Sequence, residues 1–301
     1  MIVFRRSRRS TRAAIVMTKR AFAGLCLIPL AILVAAFFVL PLARLVATGA
    51  SGELGIKAYA AILLNERYRT TLTNTVLLAA ATTVATLAIA TVTGLFLQRH
   101  KFPGRALVVA MLTFPLAFPG VVVGFMIILL AGRQGLIGEA TLRLFGDKEV
   151  FAYSMGGLFL GYLYFSIPRV ILTIMAAVEK LDPSLEEAAR ALGAGPWAVY
   201  RDVVLPGLNP AFIASGAIAF ATAMGAFGTA FTLATDVAVL PMLIYTEFTL
   251  SANFAVAAAL SVGLGLVTWA ILALALWHRT SSWLRCARLP LPGIAVPAVV
   301  V

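Results

Sequence analysis

Six long apolar runs limit this chain to a small number of folds. A helix needs about 20 residues to cross the ~30 Å hydrocarbon layer of a membrane, and each run reaches or exceeds that length. The runs cover residues 21–46, 72–97, 106–131, 152–178, 211–233 and 254–277. Only 12% of the chain is charged, against about 25% in an ordinary soluble domain. The sequence therefore predicts an all-α integral membrane protein with six transmembrane helices.

Basic residues indicate the orientation of the spans. If residues 1–20 lie inside the cell, all inner segments together hold 16 Lys/Arg and five acidic residues, whereas the outer ones hold seven of each. An excess of Lys and Arg marks the cytoplasmic side. We therefore expect both termini in the cytoplasm, 1–20 as a basic N-terminal segment and 278–301 as a tail. Topology and contact with membrane lipid account for the net charge of +12, so nucleic acid is not an expected partner.

The connection 181–206, LDPSLEEAARALGAGPWAVYRDVVLP, is much more polar than the chain around it. Asp182 and Ser184 are alternative N-caps for a short helix, the second as part of a capping box with the glutamate three residues later. Gly193 is placed to end that helix in a left-handed conformation. Pro206 is expected to end a second short helix. Two short helices between membrane spans are suited to binding a partner outside the membrane.

The third and fifth spans have features of either a transport path or close helix packing. The third contains two prolines and two glycines in FPLAFPGVVVGF, and the fifth is rich in Ala, Gly, Ser and Thr. Proline kinks a helix, and small residues let helices approach closely. Thr113 and Ser215 in these spans are candidate path residues. Asn74, at the start of the second span, is another; it either caps the helix, which is the favoured role, or faces a polar cavity.

Arg169 is the one charge well inside a predicted span. It lies ten residues before Glu179, about 15 Å along a helix. Because a charge inside the membrane is costly, such a residue indicates a functional site. The alternatives are that Arg169 reaches towards the membrane surface or binds a carbonyl freed by Pro168.

Several kinds of chemistry have no candidate residues in this sequence. His100 and His278 both sit at span ends, and Cys26 and Cys286 are far apart. We therefore expect no metal site, cofactor or catalytic residue. The chain has no G-x-x-x-x-G-K-[ST] phosphate loop and no carboxylate inside a span for a proton relay. Energy for uphill transport would have to come from another chain.

The connection 181–206 resembles the EAA motif of permease subunits of binding-protein-dependent ABC importers of the type I fold. The motif is carried by Glu187-Ala188-Ala189, by Gly193 four residues further on, and by a terminal Leu-Pro. The resemblance covers residues 70–277 and implies a transmembrane domain with five spans and coupling loop 181–206, preceded by an added first span, 21–46. It implies that the first short helix of the loop docks into an ATPase. The implied coupling residues are Glu186, Glu187, Ala188, Ala189, Arg190, Gly193, Leu205 and Pro206.

The resemblance also implies the partners of the chain. These are a cytoplasmic ATP-binding subunit, an extracytoplasmic solute-binding protein and a second permease subunit, identical or paralogous. The assembly would lie in the inner membrane of a bacterial cell. Within it, this chain would be a multi-pass, non-catalytic transport subunit. The alternative is a secondary transporter or channel that works without ATP; an inverted repeat or intramembrane acids would favour it, and the sequence has neither.

The solute is the least constrained part of the prediction. The sequence looks most similar to permeases for polyamines, aminoalkylphosphonates or ferric-type ligands. Many members of the family that carry oxyanions or iron have a glutamate before a Phe-Gly pair in the fifth span. Here Ala226 occupies that position, which disfavours those branches. The sequence thus predicts a small polar solute, such as a polyamine or a phosphonate.

Overall fold

The structure, a computed structural model, describes residues 27–52, 55–233 and 237–286. The predicted basic segment 1–20, residues 21–26 of the first span with Cys26, and residues 287–301 of the tail lie outside the described residues. Every regular element within the described ranges is helical. Six helical stretches are long and apolar enough to cross a membrane. The predicted all-α, six-span architecture is therefore confirmed.

The helices are numbered in chain order. They are α1 Leu27–Gly49, α2 Lys57–Leu64, α3 Glu66–Arg99, α4 Arg105–Thr113, α5 Gly120–Ala131, α6 Leu136–Phe145, α7 Met155–Glu179, α8 Pro183–Ala191, α9 Pro196–Met224, α10 Phe227–Leu233, α11 Leu240–Thr249 and α12 Phe254–Cys286. The membrane-length stretches are α1, α3, α5 with α6, α7, α9 and the Phe254–Trp277 part of α12.

The third predicted span is not a single kinked helix. Instead, α4 ends at Thr113, a 3₁₀ turn covers Phe114–Ala117, and α5 begins at Gly120. Phe118 and Pro119 between them are extended, with ψ of 130° and 148°. The reason is that proline disfavours helical backbone at the residue before it and has no N–H to donate. The prediction of one helix over 106–131 is wrong.

The fifth predicted span, 211–233, is also divided. α9 ends at Met224, and Gly225 and Ala226 separate it from the short helix α10. Its other end lies well before the apolar run, at Pro196. Hydropathy locates the membrane-crossing core of a helix, but it does not detect polar turns that extend the helix beyond the membrane.

The second span begins earlier than its apolar run indicates. Asn65 is the N-cap of α3, and its side chain accepts a hydrogen bond from the Arg67 N–H at 3.0 Å. Asn74 lies more than two turns inside the helix and is half-buried. The prediction that Asn74 caps this span is wrong, because the helix begins at its N-cap Asn65, nine residues earlier, and not where the apolar run begins.

The centre of the molecule is formed by α3, α7 and α9. α3 and α7 run parallel: their first halves share one buried cluster with Tyr162 and Ala79, and their second halves share another with Ala90 and Ile171. A Cβ atom on Gly94 would lie 3.0 Å from Cγ2 of Ile174. This glycine therefore allows α3 and α7 to approach each other closely.

The glycines of the third span serve packing. Gly120 and Gly124 face α10, and a Cβ on Gly124 would overlap the Thr232 hydroxyl. The Thr229 hydroxyl donates to the Gly120 carbonyl at 3.0 Å, so the two backbones are in close contact. Of the two explanations for this glycine-rich stretch, the structure favours close packing of α5 on α10.

The apolar segment 236–251 contains α11, which is too short to span a membrane. α11 packs against α12 and α3, with Leu240 and Leu260 fully buried. The Leu240 N–H donates to the Thr75 hydroxyl of α3 at 2.8 Å. This hydrogen bond fixes the start of α11 to the first turns of the second span.

Candidate coupling helix and translocation path

The polar connection folds into a short helix with well-defined ends. Asp182 is the N-cap of α8, and its carboxylate accepts the Ser184 N–H at 2.9 Å. This hydrogen bond lowers the pKa of the Asp182 carboxyl below its ordinary value. Of the two predicted caps, Asp182 is therefore the one used. Its negative charge is also favoured at the positive end of the helix dipole.

The predicted left-handed end of α8 is confirmed. Gly193 has φ +86°, a conformation that other residues adopt only with strain. Its N–H donates to the Arg190 carbonyl at 2.9 Å, and the Ala194 N–H donates to the Ala189 carbonyl at 3.1 Å. Together these two hydrogen bonds form a Schellman motif. They turn the chain sharply from α8 towards α9.

Pro206 does not end a helix. A π-turn, Tyr200–Val204, joins the first turn of α9 to its long membrane-spanning part, Leu205–Met224. In this wider turn the Leu205 N–H donates to the Tyr200 carbonyl five residues earlier, and the helix continues past Pro206, which has no N–H to donate. The prediction that the second helix stops at Pro206 is therefore wrong. Leu205 and Pro206 lie inside one continuous helix that runs from the loop into the membrane.

An ion pair joins α8 to the end of the second span. Two N–H groups of Arg99, the last residue of α3, donate to the two carboxylate oxygens of Glu186, one of them at 3.1 Å. Both side chains are largely covered, with exposures of 21% and 15%. The Arg99 guanidinium also lies 5.1 Å from the ring centre of Tyr200 in α9. Arg99 thus holds three elements together at this end of the molecule.

Sequence reasoning missed Arg99 as a site residue. It lies 87 positions before Glu186, and nothing in its local sequence marks it as a partner of the loop. Arg105 was missed for the same reason; it donates to the Leu97 carbonyl at 2.6 Å and to Gln98 at 2.8 Å. These bonds fix the last turn of α3 and so support the position of Arg99.

Of the other coupling candidates in α8, all but Ala189 are exposed. Glu187 and Ala188 are exposed, and Ala189 is half-buried against the second core cluster. Arg190 is exposed and lies 3.6 Å from Glu186. In the part of the chain that the structure describes, Glu187 has no ion-pair partner. The two adjacent glutamates therefore differ: Glu186 binds within the chain, and Glu187 faces outwards.

Three large apolar side chains in or after α8 are exposed. Leu185, Leu192 and Trp197 are exposed at 57%, 89% and 74%. They lie in or beside the loop, away from the long apolar helices that would contact lipid. A group of exposed apolar side chains with a polar edge is typical of a protein-binding surface. We call the surface formed by Leu185, Glu187, Ala188, Leu192 and Trp197 the α8 surface.

No hydrogen bond in the described part of the chain joins any two of the four candidate path residues. Thr113 is exposed at the end of α4 and donates to the Ala110 carbonyl at 2.7 Å. Ser215 is buried in α9 and donates to the Ala211 carbonyl at 2.7 Å. Asn74 lies on α3, and no hydrogen bond within the described ranges joins it to the other three candidates. Each hydroxyl is satisfied by its own helix, as is common for Ser and Thr in apolar helices.

Arg169 differs from the other three candidates. Its side chain is exposed on α7, and one guanidinium N–H donates to the Thr222 hydroxyl of α9 at 3.2 Å. Thr222 in turn donates to the Ile218 carbonyl at 2.7 Å, which leaves its oxygen free to accept from Arg169. Proximity to Thr222 could not be read from the sequence, since the two residues are 53 positions apart.

Comparison with known proteins identifies similar sequences. Residues 90–280 match a family described as binding-protein-dependent transport system inner membrane component. The putative 2-aminoethylphosphonate transport system permease protein PhnU of Salmonella typhi is 31% identical over 243 residues, which cover 78% of this chain and 84% of the relative.

Two further relatives are similar over a shorter stretch. The molybdenum transport system permease protein ModB of Escherichia coli (strain K12) is 40% identical over 141 residues, 47% of this chain. The sulfate transport system permease protein CysT of the same strain is 37% identical over 142 residues. The chain spans less than two thirds of the length of these two relatives, 61% and 50%.

The fold is also found in a solved structure. A chain in the crystal structure of a bacterial ABC transporter involved in the import of the acidic polysaccharide alginate superposes with a TM-score of 0.75. The match covers 89% of this chain and 98% of the other, at 16% identity. At this identity the match shows a shared fold, that of an ABC importer permease.

Proposed function

The chain belongs to the family of binding-protein-dependent transport system inner membrane components, and we propose that it is the permease subunit of an ATP-driven ABC importer. It is a multi-pass protein, with six helices of membrane length. In this role it forms the path for a small polar solute and is itself non-catalytic. ATP is hydrolysed on a partner chain.

α8 is the helix that docks into the ATPase. The observation that carries this proposal is the different environment of two adjacent glutamates: Glu186 is bound by Arg99, whereas Glu187 is exposed on the α8 surface. The first residue anchors the helix to its own subunit, and the second is available to the partner. Exposed Leu185 and Leu192 supply apolar contact area on the adjoining exposed face of the loop. The small side chain of Ala188 allows the helix to enter a groove.

The π-turn and α9 connect this docking site to the membrane. Tyr200, which contacts Arg99, opens the π-turn, and α9 continues from it to Met224 in the middle of the bundle. A displacement of α8 would therefore be transmitted to α9 as movement of one rigid helix. The excess of Lys and Arg on the side of α8 supports a cytoplasmic location for this end.

Three partners follow from this role. A cytoplasmic ATP-binding subunit would contact the α8 surface, and a solute-binding protein would deliver the solute at the opposite face. A second permease subunit, identical or paralogous, would complete the path, with membrane lipid around both. The relatives are named for 2-aminoethylphosphonate, molybdenum and sulfate transport. The similarity to ModB and CysT runs against the expectation that Ala226 separates this chain from oxyanion-carrying permeases.

The test uses the native complex purified from membranes through a tag on this chain. Glu187→Lys reverses the charge of the α8 surface, and Gly193→Leu places a side chain where φ is +86°. We expect both variants to insert into the membrane and to lose most co-purifying ATP hydrolysis and solute uptake. Arg201→Gln is the matched control, since Arg201 is also an exposed charged residue of the same loop and pairs with its neighbour Asp202.

The outcomes separate the proposed function from its alternative. Unchanged ATP hydrolysis and uptake in both variants would show that α8 does not couple the two subunits. Uptake that follows an ion gradient, in a complex with no ATP hydrolysis, would show a secondary transporter instead.

A further inference from the structure

We propose that the groove between α7 and α9 is the inner part of an anion path, and that Arg169 and Lys180 are its solute-binding cations. The solute class is a small oxyanion, such as a sulfate or a phosphonate. This inference rests on the proposed function, because it assigns the solute of the same path.

Basic and polar residues follow one face of α7. With 100° per residue, Thr173, Ala176 and Lys180 all lie within about 40° of the direction of Arg169. Arg169, Ala176 and Lys180 are exposed, and Thr173 is half-buried. The neighbouring residue Val170, in contrast, is fully buried. This face of α7 is thus open along its whole inner half.

A groove lies along this face. It has a volume of about 700 Å³ between α7 and α9, with Thr173, Ala176 and Lys180 on one side and Pro210 and Ala211 on the other. Lys180 supplies the only charge among the described residues that line the groove. A cation such as a polyamine would therefore meet repulsion without any carboxylate to offset it.

Arg169 lies one turn above Thr173 on the same face of α7, beyond the residues that line the groove. α7 and α9 run antiparallel, so Lys180 lies at the level of Gly207 and Arg169 at the level of Thr222. The eleven residues from Arg169 to Lys180 span about 16 Å along the helix. Lys180 therefore lies in the groove itself, and Arg169 lies above it on the same face, deeper within the span.

The guanidinium of Arg169 is available to a ligand. Thr222 accepts one of its N–H groups, and a guanidinium has five. Within the described part of the chain, neither Arg169 nor Lys180 forms an ion pair. A charge kept at this depth without a carboxylate partner is explained by an anion that visits it. The planar group suits the paired oxygens of a sulfate or phosphonate.

The charge preference of the groove is measured with a cysteine probe. In a background with Cys26→Ser and Cys286→Ser, Ala176→Cys places a thiol between the two cations. We compare its reaction rates with a sulfonate-bearing and a trimethylammonium-bearing methanethiosulfonate reagent in the purified complex. For each reagent, the rate at the introduced thiol is divided by its rate with a free thiol in solution. We expect this normalised rate to be higher for the anionic reagent than for the cationic one, and the ratio of the two to fall about tenfold in Arg169→Gln. Arg133→Gln, which removes an exposed charge elsewhere, is expected to leave the ratio unchanged.

The same complex distinguishes solute from lipid. The rates are measured in nanodiscs of phosphatidylcholine and of phosphatidylglycerol. Fast reaction with the anionic reagent in both supports a solute path. Loss of that reaction in phosphatidylglycerol alone would show that an anionic lipid headgroup occupies the groove, and would overturn the proposal. An unreactive thiol, or a ratio that does not depend on Arg169, would overturn it as well.

Uptake provides the second readout. Cells are supplied with labelled sulfate, 2-aminoethylphosphonate or spermidine. We expect Arg169→Gln to reduce uptake of an anionic probe about ten- to hundredfold. Uptake of spermidine alone would refute the anion path and leave the importer assignment intact. An unmodified complex that does not hydrolyse ATP would instead count against the proposed function itself.

Discussion

Replacing Arg99 with glutamine is expected to loosen α8 from the rest of the subunit. The substitution removes both hydrogen bonds to Glu186 and the contact with the Tyr200 ring. It leaves Glu186 with a weaker partner, Arg190, at 3.6 Å. Because Arg99 is the last residue of a long, well-packed helix, the fold of the membrane-spanning part is expected to remain intact.

The magnitude follows from the partial burial of the pair. A hydrogen bond to a charged group contributes about 1.5–3 kcal/mol, and a fully exposed ion pair about 0.2–1 kcal/mol. With exposures of 21% and 15%, the pair of Arg99 and Glu186 falls between these limits. The cation–π contact with Tyr200 adds about 0.5 kcal/mol. We estimate a total loss of about 1.5 kcal/mol, roughly a tenfold increase in the fraction of molecules with α8 released.

Amide hydrogen exchange of the full-length protein measures this release. Exchange in Pro183–Ala191 is expected to become about tenfold faster in Arg99→Gln, since local opening sets the exchange rate. Exchange in the middle of α7 is expected to stay the same. Arg201→Gln removes an arginine from an exposed pair in the same loop and is expected to change exchange in α8 little.

A charge exchange separates pairing from general destabilisation. Arg99→Glu combined with Glu186→Arg is expected to recover most of the protection lost in Arg99→Glu alone. The reasoning is refuted if exchange in α8 is unchanged in Arg99→Gln, if Arg201→Gln has an equal effect, or if the double variant shows no recovery.

Two other predictions concern packing and pH. Gly124→Ala should destabilise the protein by about 1–3 kcal/mol, since its Cβ would overlap Thr232. Gly265→Ala should be neutral, because nothing lies within 4 Å of its added Cβ. The thermal midpoint of the solubilised protein measures both effects, and equal midpoints would contradict the packing argument. Because the Ser184 N–H lowers the pKa of Asp182 below 3.8, the contribution of this cap should be complete above that pH and lost as pH falls through the lowered value. In Asp182→Asn this loss should disappear, as measured by exchange in α8 corrected for intrinsic rates; an unchanged pH profile would show that Asp182 does not control it.

The differences between prediction and structure have a common physical origin. Hydropathy correctly gave the number of membrane-length segments but not their ends, since an end depends on a cap or a break. Asn65 starts the second span before the apolar run begins, and Pro119 divides the third within its run. Conversely, Pro206 predicts the end of a helix, but the helix continues past it after a π-helical turn.

Composition, hydropathy and local motifs were enough to predict the class of the protein, the number of spans and the C-terminal end of α8, and they narrowed its N-cap to Asp182 or Ser184. These depend on composition and on hydrogen bonds within one turn, such as those of Asp182 and Gly193. The packing of distant helices was needed to show that Glu186 binds Arg99, that Glu187 has no ion-pair partner among the described residues, and that Arg169 meets Thr222 above an open groove. These pairings join residues that are 87 and 53 positions apart. They are set by the packing of α3, α7 and α9, which no local pattern of side chains encodes.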